Sequence, residues 1–147
     1  MTRILSKINR NRLLAISIGI VYIWFGALKF FPVLSPADGL AKQTITFLTH
    51  SIIPENVSII LLALLEVGIG ICLISNFKLK TVVTVALIHL LLTFVPLLFF
   101  PNVSFAKAPF VLTLVGQYIM KNIIIICALV YIYPIDNGIS NYHLSSK

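Results

Sequence analysis

Four apolar runs, each long enough to cross a lipid bilayer, constrain this chain more than any other feature. They cover about residues 13–31, 57–74, 79–100 and 110–133. A run of about 19 residues makes roughly 28 Å of helix, close to the thickness of the hydrocarbon core. Only 10% of the 147 residues are charged, whereas a soluble domain has about 25%. The chain is therefore predicted to be an all-α integral membrane four-helix bundle, a single membrane domain over residues 1–147.

The segments between the runs are short. Residues 75–78 leave room only for a turn between two antiparallel helices. Between the first two runs, Ser35, Pro36 and Asp38 are typical of a helix start. The residues after them place apolar side chains on one face, but they are too polar to span. We therefore expect a short amphipathic interfacial helix over about 36–50, lying at the membrane surface as a lid on the bundle.

Basic residues predict the orientation of the spans. With the N-terminus inside, the inner segments carry Arg3, Lys7, Arg10, Arg12, Lys78, Lys80 and Lys147. Only Lys42 and Lys107 lie on outer segments, so both termini are expected to be cytoplasmic. The basic residues behind the net charge of +7 are thus expected to lie next to the lipid head groups. The bilayer is the expected partner, and nucleic acid is not, because the chain offers no soluble basic surface.

Polar residues interrupt every run. The set comprises Lys29, Glu66, His89, Gln117 and Lys121, with Asn122 beside the last of them. A charge at the centre of a bilayer costs on the order of 2.5–3.5 kcal/mol, so these side chains are expected to turn inward and pair. In the first run, Gly19, Tyr22, Gly26 and Lys29 share one helical face. We expect this face to form one wall of a polar cavity.

The sequence leaves the purpose of this cavity open. Glu66 and a lysine can form a structural ion pair that fixes helix register. Equally, intramembrane ionisable residues mark ligand or proton sites. The excess of positive charge would suit an anion or a carbonyl-bearing ligand such as a quinone head group. Lys29 and Lys121 would then be donors, Glu66 a counter-ion or proton acceptor, and His89 a proton relay and pH-sensitive step. A metal site on Glu66 and His89 is disfavoured, because two ligands are too few.

Several classes of soluble enzyme have no support in the sequence. It contains no Ser-His-Asp pattern, P-loop or GxGxxG motif. The two cysteines lie in separate runs without a CxxC spacing, so a dithiol redox centre is not predicted.

A set of short motifs points to a family. They are Trp24-Phe25-Gly26-Ala27-Leu28-Lys29-Phe30-Phe31-Pro32, Ser35-Pro36-Ala37-Asp38, Leu64-Leu65-Glu66-Val67-Gly68, His89 and Gly116-Gln117-Tyr118-Ile119-Met120-Lys121-Asn122. Together they resemble the DoxX/DoxD-like integral membrane family and the related reactive-chlorine-resistance inner-membrane proteins. The resemblance implies a four-helix, multi-pass protein of the bacterial inner (plasma) membrane, linked to quinone-coupled sulfur oxidation or oxidative stress. It singles out Trp24, Lys29, Glu66, His89, Gln117, Lys121 and Asn122.

These observations favour a membrane subunit of a redox or oxidative-stress system that binds a quinone or small anion. Quinone is the only cofactor they suggest, and whether the chain is an enzyme stays open. A membrane or soluble redox partner protein is expected, as is a homo-oligomer. The alternative is a non-catalytic scaffold whose polar residues are structural. A third possibility is a small-solute carrier acting as an oligomer, because four spans are few for a carrier.

Overall fold

The computed structural model describes residues 9–31, 38–107 and 109–134. Its helices are α1 (Arg10–Leu28), α2 (Asp38–Leu48), α3 (Glu55–Ser75), α4 (Leu79–Leu92), α5 (Val95–Phe99), α6 (Pro101–Ser104), α7 (Leu114–Met120) and α8 (Asn122–Ile132). Strands β1 (Phe105–Lys107) and β2 (Val111–Leu112) form a small antiparallel sheet with an irregular register.

Within the described residues, four helical segments are long and apolar enough to cross a membrane. Span one is α1, span two is α3, span three is Leu79–Phe99 and contains α4 and α5, and span four is Leu114–Ile132 and contains α7 and α8. The protein is thus a multi-pass integral membrane protein. This confirms the predicted all-α four-helix bundle.

The ends of the helices follow local chemistry. Helix α1 begins at Arg10 because the side chain of Asn9 accepts a hydrogen bond from the Arg12 amide. Span four begins later than the apolar run at residue 110. Strands β1 and β2 pair there as a β-hairpin, and the Thr113 hydroxyl then caps α7 by accepting from the Gly116 amide.

The helix between spans one and two is present as α2. Its Leu40 and Thr44 are buried. The predicted cap residues Ser35 and Pro36 lie outside the described residues, as does the side chain of Asp38. The position of α2 at the membrane surface stays a prediction.

Spans one and two form the closest helix pair, because small residues let their backbones meet. A Cβ atom placed on Gly70 would lie 2.6 Å from the carbonyl oxygen of Gly19 and 2.9 Å from the amide nitrogen of Ile23. A Cβ on Gly26 would lie 2.9 Å from that of Glu66. Small residues at a contact allow this approach in membrane helices. The contact fixes span one directly beside Glu66.

Spans one and two are also joined near the turn that follows span two. Asn76 adopts the left-handed conformation with φ of 60°, and the Phe77 amide donates to the Cys72 carbonyl at 3.0 Å, as in a Schellman cap. The Arg12 guanidinium of span one donates to the carbonyls of Leu73, at 3.1 Å, and Ile74. A cation there also complements the negative end of the helix dipole.

The bundle is divided into an apolar half and a polar half. Near the turn at residues 75–78, an apolar core joins all four spans, with Leu73, Val83 and Leu129 fully buried. Toward the other end, where α2 and the hairpin lie, the spans separate around a cavity. The core fixes the positions of the helices, and the polar side chains collect where the packing is open.

Candidate ligand cavity

A cavity of about 290 Å³ lies between the four spans and beneath α2. Most of its wall is aliphatic or aromatic, and its polar groups cluster. Its lining residues are Val21, Tyr22, Phe25, Lys29, Leu40, Ala41, Thr44, Ile45, Leu48, Leu62, Glu66, His89, Leu90, Leu92, Thr93, Pro96, Val115, Tyr118, Ile119, Lys121, Asn122 and Ile125. An apolar pocket with a few convergent polar groups is typical of a small-molecule site.

Glu66 is the centre of the polar cluster. It is 7% exposed, and its side chain reaches two partners on neighbouring spans. Lys29 Nζ lies 2.5 Å from Glu66 Oε2, and His89 Nε2 lies 3.3 Å from Glu66 Oε1. Lys29 Nζ is also 3.4 Å from the carbonyl oxygen of Phe25. One carboxylate therefore links spans one, two and three, as the cost of an unpaired charge in a membrane predicts.

Tyr22 extends this cluster into a chain of four side chains. Its hydroxyl oxygen lies 3.3 Å from His89 Nδ1 and 3.3 Å from the carbonyl oxygen of Ala86. The Glu66 carboxylate only accepts hydrogen bonds, so His89 Nε2 carries the proton that it donates to Glu66. When His89 is neutral, its Nδ1 accepts from the Tyr22 hydroxyl. When His89 is cationic, Nδ1 donates instead, and the hydroxyl is released to donate to Ala86.

Lys121 lines the cavity but does not take part in this series of hydrogen-bonded side chains. Its Nζ lies 3.8 Å from the ring centroid of Tyr118 and 5.2 Å from that of Phe25. The two rings pack edge to face at 6.3 Å and so connect spans one and four. Cation–π contacts of this kind stabilise an ammonium group with a modest energy of about 0.5–2 kcal/mol. They position the Lys121 charge at the cavity wall.

Asn122 also lines the cavity, where it has a partner on span three. Its side-chain amide donates to the Thr93 hydroxyl at 3.0 Å, and that hydroxyl donates to the Leu90 carbonyl at 2.6 Å. This polar contact is satisfied within the protein and ties the start of α8 to the end of α4.

Two predicted site residues lie elsewhere. Gln117 is exposed, with its amide nitrogen 3.5 Å from the carbonyl oxygen of Leu112 in the hairpin. Trp24 is 66% exposed on the outside of span one. Neither lines the cavity. The structure therefore brings together Tyr22, Lys29, Glu66, His89, Lys121 and Asn122 of the predicted set.

The predicted wall on span one is also divided. Tyr22 and Lys29 face the cavity, whereas Gly19 and Gly26 contact span two. Span two contacts this face at Gly19, which precedes Tyr22 along the chain, and at Gly26, which follows it, so the contacts with span two alternate with the cavity-facing side chains.

Two aromatic residues of the site, Phe25 and Tyr118, were not among the residues predicted from the sequence. Phe25 and Tyr118 hold the Lys121 ammonium between spans one and four. The signal was available for Tyr118, which precedes Lys121 by one helical turn (i, i+3) and so shares its face. Phe25 bears the same relation, at i, i+4, to Lys29.

Comparisons with known proteins leave the family open. No protein-family model matches the chain, and neither a curated protein nor a solved structure matches it. The resemblance to the DoxX/DoxD-like proteins therefore stays a prediction.

The arrangement can bind and move protons more readily than it can hold a metal. Among the described residues, no three histidine, cysteine or acidic side chains converge. A carboxylate, an imidazole and a phenol do follow one another within hydrogen-bond reach. Such a chain can donate to acceptor oxygens and can redistribute a proton between spans.

Proposed function

We propose that this protein is an integral membrane subunit of a redox or oxidative-stress system that binds a quinone or small anion in the cavity. The observation that carries the proposal is the combination of an apolar cavity of about 290 Å³ with a polar cluster at Glu66. A quinone has the same division, an apolar ring and tail with carbonyl acceptors. The DoxX/DoxD-like family and a bacterial inner membrane belong to this proposal.

The roles follow from the contacts. Lys29 pairs with the Glu66 carboxylate. The Lys29 ammonium can also donate to a ligand oxygen, whereas Glu66 is its counter-ion and can accept a proton. His89 lies between Glu66 and Tyr22 and would relay a proton to or from the bound head group. Lys121 donates from the opposite wall. This protein would bind the ligand and supply protons to it, and a partner protein would supply electrons.

The test is binding of a short-chain ubiquinone analogue to the protein in nanodiscs. The site variant replaces Lys29 and Glu66 together by methionine, which removes both charges without leaving either unpaired. We expect the wild type to bind and the double variant to bind at least about tenfold more weakly, the effect of losing one strong hydrogen bond. The matched control is Gln117→Leu, because Gln117 is a polar residue of span four that lies outside the cavity. This variant should bind the quinone analogue as the wild type does. Absence of binding, or equal binding by the double variant, would contradict a quinone site at Lys29 and Glu66.

A non-catalytic scaffold is the second candidate, because Glu66 is already satisfied within the chain by Lys29 and His89. A scaffold requires no ligand. In that case the double variant would fold and assemble normally, and no quinone analogue would shift the melting temperature of either protein.

A further inference from the structure

Lys121 differs from Lys29 in its ion pairing, because Lys29 has a carboxylate partner and Lys121 has none among the described side chains. Of the acidic residues whose side chains the structure describes, Glu55 and Glu66, neither pairs with Lys121. The contacts of its ammonium group are the faces of Tyr118 and Phe25. These rings orient the ammonium, but they do not neutralise it.

The charges around the cavity do not cancel within the described residues. Glu66 contributes one negative charge, which Lys29 offsets at 2.5 Å. Lys121 then leaves the lining with an excess positive charge, and protonation of His89 would add to it. An unpaired charge is costly next to hydrocarbon, and the cost falls when an opposite charge is brought to it. A ligand that carries an anion would supply that charge.

The position of Lys121 also indicates where such a ligand enters. Val21 and Phe25 of span one are 38% and 37% exposed, Lys121 of span four is exposed as well, and all three line the cavity. The cavity therefore opens on the side of the bundle between these spans. In a bilayer this side faces lipid, so a molecule with an apolar chain can enter directly from the membrane.

We propose that Lys121, framed by Phe25 and Tyr118 at this opening, binds the oxyanion head group of an amphiphile, a carboxylate or a phosphate, whose chain lies along the apolar wall. This inference rests on the proposed function only in using the same cavity, and it assigns the two lysines separate tasks. Lys29 is the counter-ion of Glu66, and Lys121 is the counter-ion of the ligand.

The test compares amphiphiles that share a chain length and differ in head group. Laurate, dodecyl phosphate and neutral dodecanol are titrated against the protein in nanodiscs by calorimetry, with empty nanodiscs as the blank for partitioning. We expect at least one of the two anions to bind at least about tenfold more tightly than dodecanol, as for one charge-assisted hydrogen bond. Whichever anion binds more tightly identifies the head group. Equal binding of all three would overturn the proposal without the use of any variant.

Substitutions then locate the interaction. Lys121→Gln should lose the preference for the anion, Lys121→Arg should keep it, and Gln117→Leu should behave as the wild type. An anion preference that persists in Lys121→Gln would contradict the assignment. Inorganic phosphate that displaces laurate would also contradict it, because a soluble anion would then suffice.

A separate measurement of quinone binding distinguishes failure of this inference from failure of the proposed function. Lys121-dependent laurate binding without quinone binding would support the inference and contradict the quinone. Quinone binding that depends on Lys29 and Glu66, with no anion preference, would do the reverse.

Discussion

The Glu66 carboxylate determines the chemistry of the cavity at the scale of single residues. It is buried and joined to Lys29 and His89, and through His89 to the Tyr22 hydroxyl. Burying a carboxylate is unfavourable unless its partners compensate, so this group and its partners depend on one another. A substitution at one of these residues should therefore leave the others without a compensating partner.

Replacing Glu66 by glutamine should therefore destabilise the fold. The amide keeps the size of the side chain but leaves the Lys29 ammonium without its counter-charge, and breaking a buried pair in this way costs about 3–5 kcal/mol. The free energy of unfolding, measured by chemical denaturation in mixed micelles, checks this. The double change of Lys29 and Glu66 to methionine should recover most of the loss, because no charge is left unpaired. A glutamine variant as stable as the wild type would show that the pair does not stabilise the bundle.

The packing of small residues sets the geometry at the scale of helices. Gly70 allows α3 to touch α1. Gly68 lies only two residues earlier on the same helix, yet a Cβ atom placed there would meet no neighbouring atom of the described residues within 4 Å. The two glycines thus lie in opposite environments. They form a matched pair for testing the close contact.

Gly70→Ala should be destabilising and Gly68→Ala should not. The added methyl group at Gly70 would meet backbone atoms of Gly19 and Ile23 closer than 3 Å, and overpacking of this kind costs about 1–3 kcal/mol. Thermal unfolding of the two variants in the same detergent measures the difference. Equal melting temperatures would contradict the close approach of spans one and two.

The sequence predicted this level of organisation well in some places and poorly in others. The apolar runs located the spans because length and hydropathy are properties of the chain itself. The same pattern predicted that Lys29 and Glu66 would turn inward, because unpaired charges are excluded from lipid. It did not predict that Gln117 would lie outside the cavity, since the Leu112 carbonyl that it approaches belongs to a hairpin with no clear sequence signal. Contacts such as that of Tyr22 with His89 depend on helix rotation, which periodicity alone does not determine.

The division into an apolar half and a polar half is the main property of the whole molecule. The core around Leu73 and Leu129 holds the bundle together near the turn at residues 75–78, and the cavity occupies the end covered by α2. If both termini are cytoplasmic, as the basic residues predict, the cavity lies in the outer half of the membrane. A ligand would then be taken from the outer leaflet.

Reporter fusions test this orientation. Green fluorescent protein fused after Lys147 should fluoresce, and alkaline phosphatase at the same place should be inactive, because both report a cytoplasmic terminus. A phosphatase inserted after Lys107, in the hairpin between spans three and four, should be active. The opposite pattern would reverse the predicted orientation and place the cavity in the inner half.

The most direct test of the central claim is whether the cavity carries a ligand when the protein is purified from its membrane. Native mass spectrometry of the wild type, released gently from detergent, should show a bound lipid-soluble molecule. The adduct should be lost in the variant with methionine at positions 29 and 66, and it should persist in Gln117→Leu. A wild-type protein that never carries an adduct, or an adduct equally abundant in all three proteins, would contradict the claim that the Lys29–Glu66 cluster of this cavity binds a ligand.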